Sequence, residues 1–184
     1  MSAKGDQTRA RLLDAARDLA ETGGYFQAGL SQITADSGAP RGSVYFHFPG
    51  GKDQIITEAL GRSGEEIAGL IARAPAATAA GLVSTLIDML ADRLEDSGWR
   101  KGCPVATIAL DVASRNDAIQ QACSAAYSAW EQALRDRLLG YGSGNAGEAA
   151  ATVLALIEGA LILARTHRSR EPLTRAKRAA ARLL

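Results

Sequence analysis

Arg41, Ser43, Tyr45 and His47 stand at every second position of a short stretch, each side chain ends in a hydrogen-bond donor, and Lys52 follows shortly after. A guanidinium can fork onto O6 and N7 of a guanine, while hydroxyl, phenol and imidazole groups reach phosphate oxygens or base edges in a major groove. A lysine opening a helix, next to backbone N–H groups that have no helical partner, makes a phosphate clamp. Gly42 costs a helix about 1 kcal/mol against alanine, and close approach of a duplex explains its place there. Gly29, Ser31 and Phe46 complete the set expected to face DNA.

Catalytic chemistry is poorly served by comparison. His47 lies among the donors just named, and His167 sits in an arginine-rich tail with no second histidine at metal-ligand spacing. Gly-x-Ser-x-Gly is absent. Cys103 stands beside a helix start that can lower a thiol pKa, yet no histidine is near it in sequence, so Cys103 and Cys123 read as packed thiols. Gly142-Ser143-Gly144-Asn145-Ala146-Gly147 matches G-x-G-x-x-G formally, but a dinucleotide site needs a strand before it, and here a helix precedes it. No metal or cofactor is expected.

The donors need a scaffold, and residues 29 to 48 provide one. A first short helix, about 31 to 37, buries Leu30, Ile33 and Ala35, and Gly38 ends it in a left-handed position free of a Cβ penalty. Pro40 opens the second helix, where its missing N–H would have no partner. Val44 and Phe48, four apart, anchor that helix and leave the donors outward. Two short helices at a sharp glycine-containing turn form a helix-turn-helix.

The run Gly38 to Phe48, read GAPRGSVYFHF, followed by Lys52, resembles the end of the TetR/AcrR-type DNA-binding domain, with its Gly-x-x-x-Gly-Ser/Thr-Leu-Tyr-x-His-Phe pattern and later lysine. Phe48-Pro49-Gly50-Gly51-Lys52 and, later, Gly102-Cys103-Pro104 resemble the LmrA/YxaF-like branch. The resemblance is specific over residues 7 to 60 and weaker beyond. Ala28 stands where that family has a recurrent threonine, which removes one hydroxyl from the cap, while Gly29 remains an acceptable N-cap. The resemblance implies two heads in successive major grooves, with an effector in the C-terminal domain shifting their spacing.

At 184 residues the chain allows one or two domains, and 47% hydrophobic with 22% charged residues is the composition of a globular protein. The net charge is only +1, but it is unevenly spread. Residues 53 to 164 carry 8 Lys/Arg against 14 Asp/Glu, and 165 to 184 carry 7 against 1. DNA affinity must therefore come from a few placed donors and not from a basic stripe. The N-terminal stretch lacks an apolar leader core, and the longest apolar run, 149 to 157, is too short for a bilayer, so the expectation is a cytoplasmic protein with no membrane partner.

Hydrophobic periodicity predicts helices throughout. The first spans 7 to 22, with Leu12, Leu13, Ala16, Leu19 and Ala20 inward, Gly23-Gly24 closing it and Tyr25 and Phe26 supplying core bulk. Others span 52 to 74, 78 to 96, a segment from Cys103 to Asp111, 116 to 139 capped by Asn116, 148 to 167, and 173 to 184. No segment has the alternation of a strand. The expected fold is all-α: a three-helix DNA-binding head over residues 1–52 and a larger C-terminal helical bundle over 53–184 for effector binding and dimerisation.

Small side chains on several helices leave room for a ligand. Met89, Trp99, Thr107, Asp111, Tyr127, Trp130 and Glu158, polar or flat groups in otherwise apolar helices, are the expected pocket. The helix 148 to 167 is apolar nearly all round and predicts a second covered side, supplied by another subunit. Leu154, Ile157, Gly159, Leu161, Leu173, Ala176 and Ala180 are the expected interface of a homodimer. The composite expectation is a non-enzymatic, ligand-responsive repressor that binds double-stranded operator DNA and is released by a small-molecule effector. A small helical enzyme, or an architectural DNA-binding protein without an effector, is the alternative.

Overall fold

The structure, a computed structural model, describes residues 3 to 40 and 42 to 184. The described residues form nine α-helices and no strand. By packing, the chain divides into two compact units, Met1–Ser63 with Pro104–Ala126, and Gly64–Cys103 with Tyr127–Leu184. The expected division at 52/53 marks a smaller head. The first unit also takes in the start of α4 (Gly51–Arg73), all of α6 (Pro104–Val112) and the first part of α7 (Asp117–Gly140).

In the first unit, α1 (Ala3–Gln27) turns Leu12, Leu13, Ala16, Leu19 and Ala20 inward, as their spacing demands. The first helical run breaks at Gly23-Gly24, as expected. Gly24, at φ 70 and ψ −162, breaks the helical path, and a further turn over 25–27 continues past the kink. α1 packs on α2 (Leu30–Ser37) and on α6. Phe26 is 67% exposed and Tyr25 half-buried, so neither is the core bulk expected of them, because the kink swings both past the packed face of α1. On α2 Ile33 is fully buried, but Leu30 is half-buried and Ala35 exposed, since a two-turn helix offers the core little more than one residue per turn.

The second unit is built from the end of α4, α5 (Ala79–Asp96), the rest of α7, α8 (Ala146–His167) and α9 (Glu171–Ala180). Thr78 caps α5 by accepting from the Gly81 N–H at 3.1 Å. α5 packs on α8 and α9, and acidic residues of α5 pair with α9 and its N-cap: Lys177 Nζ lies 2.7 Å from Asp88, and Arg170 bridges Asp92 and Glu95. On α4 Ile55, Ile56 and Ile71 are buried, while Leu70 is 46% exposed. α8 is long and apolar enough to cross a membrane by length and composition, and here it is a bundle helix packed on α5 and α9.

Pro75 alone does not finish α4. Arg137 of α7 donates to the carbonyls of Ile71, Ala72 and Ala74 at 3.0, 2.8 and 2.9 Å, and the Tyr141 hydroxyl donates to that of Ala76 at 3.0 Å. Ile71 and Ala72 offer helix-end carbonyls with no partner in their own helix, Ala74 and Ala76 lie just past that end, and a cation suits that end of the dipole. Arg137→Met is expected to cost about 2 kcal/mol, since part of the loss is made good by water. A melting experiment should show Tm lower by about 4–8 °C, and an unchanged Tm would mean the carbonyls need no such partner.

Candidate nucleic-acid interface

α2, the turn at Gly38 and α3 (Ser43–His47) form the helix-turn-helix. Gly38 takes the left-handed conformation at φ 61, and its N–H reaches the Ala35 carbonyl. Ser37 Oγ donates to the Thr34 carbonyl and accepts from the Ala39 N–H, locking the corner. α3 begins later than expected, with Gly42 as its N-cap and Pro40 upstream, where the proline carbonyl accepts from both the Ser43 N–H and the Ser43 hydroxyl. The glycine is thus at a cap and carries none of the mid-helix cost. An added Cβ on Gly42 would meet nothing within 4 Å, so this side of α3 is open.

Val44 and Phe48 are buried, and this pair fixes what α3 displays. Tyr45 and Phe46 are 64% and 76% exposed, side by side. His47 is half-buried, edge-on to Phe46 and Phe48, with Nδ1 sealed from solvent and unpaired. Ser31 is exposed on α2, and Gly29 is the uncapped, extended N-cap residue of that helix. Arg41, expected to read guanine, lies outside the described residues.

Lys52 sits in the first turn of α4, as expected, but its surroundings were not foreseen. Its Nζ lies 3.7 Å from the centroid of the Tyr25 ring. The Tyr25 hydroxyl donates to Asp53 at 2.6 Å, Asn116 Nδ2 donates to the other Asp53 oxygen at 2.8 Å, and Asp111 accepts from the Tyr25 backbone N–H at 2.9 Å. Burial, with the bond to Asp53 adding to it, pushes the Tyr25 phenol up to about 12. Burial lowers the Lys52 ammonium, while the Asp53 and Asp111 carboxylates pull it the other way. Sequence reasoning named Asn116 only as a cap, which it is, with Oδ1 accepting from the Ile119 N–H at 3.1 Å. It gave no role to Asp53. The one sequence signal was a Gly-Gly-Tyr break inside an amphipathic helix.

The residues expected to line a single pocket are not brought together. Thr107 donates to the Ala20 carbonyl at 2.7 Å and Asp111 accepts from the Tyr25 N–H, so these two, one turn apart on α6, straddle the kink of α1 and satisfy backbone groups the kink sets free. In the second unit Trp130 is 3% exposed and donates from Nε1 to the Gly64 carbonyl at 3.0 Å, while Tyr127 stands edge-on to it at 5.3 Å. Trp130 is therefore a core residue whose polar end is already used. Met89 is exposed, and Trp99 is half-buried at φ 64, closing α5 through its N–H to Leu94. Glu158 is the exception. Burial raises its carboxyl, a hydrogen bond with the Cys103 thiol opposes this, and Oε2 is sealed without a partner. Cys123 is buried, with its thiol pushed up to about 11, as suits a packed thiol.

The faces of α8 and α9 also differ from expectation. Ile157, Leu161, Leu173, Ala176 and Ala180 are buried within the protomer, where α5, α8 and α9 pack together, and Leu154 is half-buried. What these helices leave open is a groove of about 670 Å³ lined by Ala155, Leu156, Gly159, Leu163, Pro172 and Ala179. Of the seven expected interface residues, Gly159 is the one that is exposed on this groove.

Known proteins share both parts of the chain. Residues 12–59 match the family of bacterial regulatory proteins, tetR family, and residues 79–179 match the transcriptional regulator LmrA/YxaF-like C-terminal domain. The HTH-type transcriptional regulator LmrA of Bacillus subtilis is 34% identical over 170 residues, covering 90% of each chain. The HTH-type transcriptional regulator YxaF of the same organism is 28% identical over 94% of this chain and 92% of its own. Among solved structures, a TetR transcriptional regulator from Legionella pneumophila superposes with a TM-score of 0.84 over 100% of this chain and 98% of its own, at 21% identity. One from Chloroflexus aurantiacus has a TM-score of 0.81 at 25% identity, over 98% of this chain and 95% of its own.

Proposed function

The chain belongs to the TetR family of bacterial transcriptional regulators, with an LmrA/YxaF-like C-terminal domain, and from that premise we propose a homodimeric repressor released from its operator by a small molecule. As a member of that family it is a DNA-binding regulator and not an enzyme. The observation that carries the finer reading is α3 itself. Buried Val44 and Phe48 hold Tyr45 and Phe46 outward on a helix whose near side is open at Gly42, with Lys52 close by in the chain. Tyr45 supplies a donor, Phe46 an apolar contact for sugar or thymine methyl, and Lys52 a phosphate contact. Gly29, Ser31, Ser43 and His47 flank them, and Arg41 is assigned guanine readout.

The second unit supports the rest. Its open groove on α8 and α9 is apolar and suits a second copy of the same face, which would place two heads on a palindromic operator. The excess of acidic groups between 53 and 164, with the Glu158 carboxyl partly buried and one of its oxygens unpaired, favours a hydrophobic effector that is neutral or cationic. Effector and operator then oppose each other through linkage, each weakening the other by the same factor. Such a regulator works in the cytoplasm, where the chromosome is.

A gel shift on the DNA flanking the protein's own gene tests the reading. Tyr45→Phe is expected to weaken operator binding about fivefold, the equivalent of one hydrogen bond. Arg41→Ala should lose about 1 to 3 kcal/mol of discrimination at one base pair, and Lys52→Ala should flatten the salt dependence by about one phosphate. Wild-type affinity in all three folded variants would remove α3 as the reading element. Binding that no compound relieves would favour the architectural alternative.

A further inference from the structure

Lys52 is expected to meet a phosphate, and the unexplained feature is where its ammonium rests. Nζ lies on the Tyr25 ring at 3.7 Å, in a half-buried site. Among the described residues it makes no ion pair or direct hydrogen bond, so its three N–H donors are unspent. The ring under it is held from three directions. Its hydroxyl is bound by Asp53 of α4, Asp53 is bound in turn by Asn116 at the start of α7, and its backbone N–H is bound by Asp111 of α6.

We propose that Tyr25 is a positioning residue for DNA binding: its ring, clamped by Asp53 and Asp111, holds the Lys52 ammonium at the start of α4 so that a DNA phosphate meets a cation already in place. A free lysine side chain loses up to about 2 kcal/mol of rotamer entropy when immobilised. A cation held over an aromatic face, at about 0.5 to 2 kcal/mol, has met much of that cost before DNA arrives. The carboxylates steady the ring through their hydrogen bonds and act on the lysine only through space, since Asp53 gives its two oxygens to Tyr25 and Asn116, and Asp111 accepts from a backbone N–H. Because two of the bonds in this clamp come from α6 and α7, a movement of that corner would loosen Lys52 without touching α3.

The inference rests on the reading of Lys52 as a phosphate contact, and a double-mutant cycle separates the two. The probe is a mixed-sequence duplex of about 30 base pairs, bound by the full chain over a range of salt. Lys52→Ala should weaken binding and lower the salt slope by about one. Tyr25→Leu should weaken binding about fivefold with Lys52 present and have no further effect in the Lys52→Ala background. Tyr25→Phe keeps the ring but loses the Asp53 half of the clamp, and should fall between wild type and Tyr25→Leu. Equal loss from Tyr25→Leu in both backgrounds, or no loss in either, overturns the proposal. If Lys52→Ala itself changes nothing, the phosphate contact falls and Tyr25 with it. A readout that needs neither DNA nor Tyr25→Leu is the proton spectrum of the unaltered protein. The Lys52 Cε methylene should be shifted upfield by the ring current, and a methylene at its usual position would also overturn the proposal.

Discussion

Gly159→Arg is expected to leave the protomer folded and to reduce the protein from a dimer to a species of 19.2 kDa in light scattering. The two halves of that expectation have separate causes. Within the protomer an added Cβ at Gly159 meets nothing within 4 Å, and replacing a mid-helix glycine improves helix propensity by about 0.5 to 1 kcal/mol. Across the proposed interface the same position lines a largely apolar groove, together with Ala155, Leu163, Ala179, Glu171 and Arg175. A long cation there overfills the groove and carries a charge into a largely apolar surface, a penalty that a two-fold axis imposes twice. Loss of the dimer removes the second head from the operator, so affinity should fall about a hundredfold or more. A variant that remains dimeric would show that this face is not the interface, and a wild type that is monomeric at micromolar concentration would remove the dimer reading altogether.

Gly24→Ala should be the most damaging single change in the first unit. The backbone at φ 70 and ψ −162 is a region essentially reserved for glycine, costing about 1 to 3 kcal/mol for any other residue. The new Cβ would also lie 2.2 Å from Asp111 Oδ2, which is held in place by the Tyr25 N–H. Moving the carboxylate away abandons a charge-assisted hydrogen bond of about 1.5 to 3 kcal/mol. The sum, about 2.5 to 6 kcal/mol, should appear as a large drop in thermal stability together with loss of DNA binding. Asp111→Ala removes the colliding group, so the double variant should lose less than the two single changes added together. Strict additivity would mean that α6 and the kink of α1 do not act on each other.

Most helices were legible in the residues because their causes are local. Gly38 ends α2 in the left-handed conformation, Asn116 caps α7, and the buried pair Val44 and Phe48 follows from a period of 3.6. The outward side of α3 follows from that pair, since what a short helix buries decides what it shows. Local chemistry was less sure where two signals competed. Gly23-Gly24 read as a stop and the helical path does break at Gly24, but the turn that follows, where Thr107 and Asp111 satisfy the backbone that the break disrupts, was not foreseen.

Those two residues mark the limit. Thr107 and Asp111, four apart on an apolar helix, read as the polar lining of a ligand pocket, and the same spacing serves a clamp on a broken helix equally well. The partner that decides between them is 87 residues away for Thr107 and 86 for Asp111. Trp130 is a similar case, because its indole N–H meets Gly64, 66 residues back, and is thereby lost to any effector. In α9 the stripe of Leu173, Ala176 and Ala180 read correctly as a buried face, but the cover came from the protomer's own helices and the open groove lies on another side of the same pair. Periodicity reports that a face leaves water, because that free energy is set along one helix. It carries no record of which surface takes the water's place, because that is settled only when distant segments have packed.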